Sequence, residues 1–119
     1  MITLQDLKEA TFNREKQAQR VLGLNPPSRQ LKSPWYLHTL LKTDKYELVE
    51  IWAWGYNPQK LEICIFGYRI KKFNEEKNKW FPFKDYDTLQ YAYDNFQCFS
   101  GLIKPEQIRP SESISKNYA

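Results

Sequence analysis

The sequence predicts an α+β fold: a three- to four-stranded antiparallel meander with an N-terminal helix and a second helix packed on one face. Three observations point to it. Apolar residues recur at period two through residues 35–41, 46–54 and 61–73, which is the pattern of strands. The connections 42–45 and 55–60 are as short as hairpins require. Leu89, Ala92, Tyr93 and Phe96 then stand at i, i+3, i+4 and i+7, one stripe of a helix.

The elements follow in order. Residues 4–22 read as helix, with a break near Phe12 and Asn13 because Asn13 is a residue that caps a second helix, and with Gly23 as the stop. Leu7, Ala10, Ala18, Val21 and Leu22 give its apolar stripe, and Arg14, Lys16 and Arg20 fall on the remaining surface. Pro26, Pro27 and Pro34 make 24–34 a connector, since proline removes a donor and biases its predecessor away from the α region. The run 46–54 is apolar at both parities towards its end, which predicts a central strand. The run 61–73 changes parity, with Ile63 and Ile65 odd but Tyr68 and Ile70 even, so a bulge is expected near Phe66 and Gly67, leaving Arg69 and Lys71 towards solvent. Residues 74–79 form a polar turn, and 80–83 a short edge strand held there by Pro82. A helix over 87–96 is capped by Asp87, with Gln90 as the capping-box partner and Tyr86 and Tyr91 as a hydrophobic staple. Cys98 and Phe99 suggest a short strand, Pro105 opens a helical turn, and the Ser-rich segment 111–119 is expected to be a flexible tail after a single domain over 1–110.

A chain of 119 residues has room for one core. Apolar residues at 41% and charged residues at 27% are an ordinary globular balance, which excludes disorder of the whole chain. Four Trp, eight Tyr and seven Phe make 16% aromatic, a density that serves either an economical core or a contact surface. Cys64 and Cys98 are too far apart in sequence for a ligand pair and read as buried free thiols. Charges in the first nine residues leave no apolar signal segment, and no run approaches 18 apolar residues, so a cytoplasmic chain without membrane contact is expected.

The chemistry-bearing residues are sparse. His38 is the sole histidine and lacks clustered ligands, so neither metal, cofactor nor catalytic residue is expected. Gly23, Gly55, Gly67 and Gly101 are too dispersed to cradle a phosphate. Glu75 and Glu76 sit in a turn beside lysines, and Asp85 and Asp87 match helix capping.

Net charge is +4 and the isoelectric point about 9.0, and positive charge concentrates in two stretches: 1–33 and 59–80 each hold six basic against three acidic residues. In the second, Arg69, Lys71, Lys72, Lys77 and Lys79 interleave with Tyr68, Phe73 and Trp80, cations that neutralise phosphate beside rings on which bases stack. The same residues also suit a solvated hairpin that guards a sheet edge. The expected function is a small non-enzymatic accessory or regulatory protein, with nucleic acid as partner through Arg69, Lys71, Lys72, Lys77, Lys79 and Trp80. The alternative is a protein-interaction module, an adaptor or inhibitor, using Trp54, Tyr56 and Phe81 as exposed anchors. A homodimer through an edge strand is the remaining class of partner.

Residues 46–96, with Phe83-Lys84-Asp85-Tyr86-Asp87-Thr88-Leu89-Gln90-Tyr91-Ala92-Tyr93 leading into a capped helix, resemble the three strands and one helix of plant ethylene-response-type DNA-binding domains and of the arm-binding domains of tyrosine integrases. The resemblance implies that the sheet face opposite the helix enters the major groove, with Arg69 and Lys71 as contacts.

Overall fold

The computed structural model describes residues 2–23, 35–55 and 62–109. Its elements are α1 (Leu4–Glu9), α2 (Thr11–Leu22), β1 (Trp35–Lys42), β2 (Tyr46–Gly55), β3 (Glu62–Asn74), β4 (Lys79–Tyr86), α3 (Leu89–Phe99) and a 3-10 turn at Pro105–Gln107. The strands form one four-stranded sheet in the order β1-β2-β3-β4, the antiparallel meander of the α+β expectation. The connector 24–34, the loop 56–61 and the tail 111–119 lie outside the described residues.

Several local expectations change. The N-terminal helix is two helices that meet at Ala10, not near Asn13. Thr3 opens α1 with a capping box, its hydroxyl accepting from the Asp6 N–H while the Asp6 carboxylate accepts from the Thr3 N–H. These bonds hold the Asp6 carboxyl below its ordinary range. At the junction the Thr11 hydroxyl donates to the Leu7 carbonyl, a back-bond that bends helices. The fourth strand runs to Tyr86 because its pairing with β3 continues as far as Tyr68. Cys98 and Phe99 belong to α3, not to a strand. Thr88 rather than Asp87 caps α3, accepting from the Tyr91 N–H, although Tyr86 and Tyr91 do meet edge to face at 5.4 Å. Both cysteines are free thiols, but Cys64 is exposed.

The chain divides into two compact units. The first holds the described residues up to His38 and those from Glu50 to Phe66. Its core is Ala18, Leu22 and Trp52, flanked by Tyr36, Trp54, Ile63 and Ile65. Arg14 of α2 is buried and forks onto Glu50 of β2, with Nε to Oε1 at 2.6 Å and Nη2 to Oε2 at 3.1 Å. The Trp52 indole N–H donates to the same Oε1 at 2.7 Å.

The second unit holds Thr39–Val49 and the described residues from Gly67 onwards. Leu48, Tyr68, Ile70 and Tyr86 of the strands and Leu89, Ala92, Tyr93 and Phe96 of α3 are among its buried side chains. Gly67 lets backbones approach: a Cβ there would stand 3.1 Å from the Tyr86 carbonyl oxygen. Arg109 ties the segment after the 3-10 turn to α3 by forking onto buried Asp94 at 2.7 and 2.9 Å, and the bond to that carboxylate raises the Arg109 pKa. β2 is buried at every position from Glu47 to Ala53, as a central strand requires.

Candidate nucleic-acid interface

The paired part of the β3–β4 hairpin, from Tyr68 to Tyr86, lies within the second unit and distributes its cations over two faces. Alternation along the pairing places Arg69, Lys71 and Phe73 with Asp85, Pro82 and Trp80 on one face, and Lys72 with Phe81 on the other. On the first face the charges are satisfied internally. Arg69 forks onto Asp85 at 2.7 and 3.2 Å, which raises the guanidinium pKa further. Lys71 lies 3.9 Å from Glu47, a carboxylate that also accepts from Thr39 at 2.7 Å. Phe73 and Trp80 pack as a cross-strand pair at 5.2 Å, and Lys42 stands 4.9 Å over the Trp80 ring.

On the second face the lysines lie over rings rather than carboxylates. Lys72 Nζ is 5.4 Å from the Phe83 ring centre and 6.0 Å from that of Tyr46. Lys77 lies 5.5 Å over Phe81, and Lys84 lies 5.9 Å over Phe83. Among the described residues none of these three lysines has a carboxylate partner. Phe81 and Phe83 are 38% and 41% exposed, which leaves ring surface open to a ligand.

A register irregularity explains the position of Phe83. Ile70 pairs with Lys84 and Lys71 with Pro82, so Phe83 is the extra residue of a bulge, a device that re-aims side chains. Its ring meets Phe99 edge-on at 5.3 Å and Tyr46 at 6.2 Å, while Tyr46 stacks on Phe99 at 5.5 Å. This aromatic triad anchors one side of Phe83. The turn is set by Asn78 at φ 52°, which asparagine tolerates, and by the Asn74 side chain accepting from the Lys77 N–H at 3.0 Å.

Between these groups lies a groove of about 310 Å³ lined by Lys72, Phe73, Asn74, Lys77, Phe81, Pro82 and Phe83. A second hollow of about 410 Å³ shares Lys72, Phe73 and Asn74 and adds Lys45, but there Glu75 and Glu76 balance the two lysines.

The hairpin thus brings Lys72 and Lys77 together with Phe81, and leaves Arg69 and Lys71 on the other face beside Trp80; Lys79 is exposed at the strand start. Lys84, Phe83, Tyr46 and Phe99 are the members sequence reading missed. Trp54 is half-buried, packs on the first unit's core and donates its indole N–H to the Leu22 carbonyl at 3.3 Å. Tyr56 lies outside the described residues. The large exposed rings of the first unit's strands are instead Trp35 and Phe66, 5.0 Å apart.

Among the described residues no group of three His, Cys, Asp or Glu converges as a metal site, and no described helix is long and apolar enough to cross a membrane. His38 meets the Tyr36 hydroxyl at 3.3 Å. The chain matches no family model, no curated protein and no solved structure.

Proposed function

We propose that the chain is a non-enzymatic binding protein that takes up single-stranded nucleic acid along the Lys72–Phe81–Phe83 face of the β3–β4 hairpin. The observation that carries this reading is three lysines without carboxylate partners, each poised over an exposed ring of one edge strand. A lysine over an exposed ring gains only about 0.5–1 kcal/mol. It exchanges that contact for a phosphate at little cost, and the ring face it vacates accepts a base, worth about 1–3 kcal/mol. A single strand suits the groove better than a duplex, because unpaired bases alone present their faces to Phe81 and Phe83. The opposite sheet face, which the resemblance to DNA-binding domains puts in the major groove, has Arg69 and Lys71 already engaged by Asp85 and Glu47.

The test is fluorescence anisotropy of labelled oligonucleotides, single-stranded and duplex, across a salt series. Three phosphate contacts give a slope of log affinity against log salt of about −2, near −0.7 for each contact on a single strand. Lys72→Ala shallows that slope by about 0.7, whereas Phe81→Ala weakens binding at an unchanged slope. Absence of binding at low salt, or a slope indifferent to removal of all three lysines, overturns the reading.

A further inference from the structure

We infer that β1 pairs edge to edge with β1 of a second copy of this chain, the two strands antiparallel, with Trp35 and Leu37 of each copy at the join and Phe66 of β3 packed behind Trp35. β1 is a terminal strand of the sheet, so one row of its N–H and C=O groups faces away from β2 and needs partners. Among the described residues, no backbone hydrogen bond outside the helices and the sheet engages residues 35–42.

The sheet's two edges are treated differently. β4 carries Lys79, Pro82, Lys84 and Asp85 together with its bulge, all features that discourage strand addition. β1 carries neither charge nor proline from Trp35 to Leu41. A strand laid against its own copy must avoid opposing like charges, and this one has none to oppose until Lys42. A two-fold axis at Leu37 separates the two Lys42 side chains by about 34 Å, ten residues at about 3.4 Å each, whereas a parallel pair sets them side by side.

Apolar surface adjoins the same edge. Trp35 and Leu37, of one parity on β1, are 47% and 38% exposed, and Phe66, whose ring is 5.0 Å from Trp35, is 64% exposed. The two-fold places Leu37 against its own copy, with both Trp35–Phe66 pairs beside it. One strand pair and four half-exposed rings fall below the roughly 1,200 Å² of a permanent interface, so the dimer is transient and forms with rising concentration.

Sedimentation equilibrium of the full chain without nucleic acid, from about 10 to 500 µM, tests this. The mass is expected to climb from 14.3 kDa towards twice that value. Leu37→Lys, at an exposed position, sets like charges on the axis and holds the mass at the monomer, while Phe81→Lys on the other edge leaves association unchanged. Hydrogen exchange of the wild-type amides over 35–41 should slow with concentration, a readout that needs no variant to fold. A constant monomer mass, a dimer that survives Leu37→Lys, or exchange independent of concentration overturns the inference.

Discussion

Arg14 and Glu50 are the residues whose role departs furthest from their usual place at a surface. Arg14 is 4% exposed and Glu50 is fully buried, each satisfied by the other, with Thr11 and Trp52 as further partners. Periodicity assigned Arg14 to the solvent side of its helix, because a pattern reading scores charge as outward and cannot see a partner 36 residues away. The hint available in sequence was Glu50 itself, a carboxylate flanked by Leu48, Val49, Ile51 and Trp52. Removing one member of a buried pair leaves the other charge uncompensated, so Glu50→Gln is expected to cost about 3–5 kcal/mol in urea unfolding. Replacing both by Arg14→Met and Glu50→Leu recovers most of that loss. The orphaned Trp52 N–H keeps the double variant about 1–3 kcal/mol below wild type.

His38 stands near the same pair. Burial, and then the charge of Arg14, lower its pKa, partly offset by Glu50. The folded state therefore prefers neutral imidazole, and below the ordinary value of about 6.5 the unfolded chain binds the extra proton first. This contribution to stability is complete above about pH 6.5 and is lost as pH falls towards the lowered folded pKa. Urea midpoints between pH 8 and 5 should fall on acidification, and His38→Gln should flatten that fall above the carboxylate range.

At the scale of elements, alternation placed three strands, 80–83 read as a short fourth at the edge, and the i, i+3, i+4, i+7 stripe placed α3. Ends were less legible. Thr88 and Asp87 are both good caps, and only the chain path into α3 decides that the Thr88 hydroxyl reaches the Tyr91 N–H. Thr88→Ala should accordingly destabilise by about 1 kcal/mol, measured by thermal or urea unfolding. The parity change in β3 was visible, and exposure follows it: Ile63 and Ile65 are sheltered, Phe66 is exposed, and Tyr68 and Ile70 are buried. The bulge that aims Phe83 was not visible, because the fourth strand was read only as far as residue 83, which left no pairing in which an extra residue could be noticed.

For the molecule as a whole, charge was legible only as a concentration of lysine and arginine in two stretches, one of them the 59–80 hairpin. Which cations remain unpaired depends on the faces to which pairing sends them: Asp85 and Glu47 engage Arg69 and Lys71, while Lys72, Lys77 and Lys84 meet rings. The proposed association through β1 and the proposed ligand uptake at β4 involve the two terminal strands of the sheet, so either is expected to be removable without the other. The location of the proposed nucleic-acid site is read out by an amide chemical-shift titration of the full chain with a short single-stranded oligonucleotide at low salt. The largest shifts are expected at residues 72–74, 77 and 81–84, with α2 and the Trp35–Phe66 surface unchanged. No shifts, or shifts centred on Lys16 and Arg20 of α2 or on Arg69 and Lys71, would contradict it.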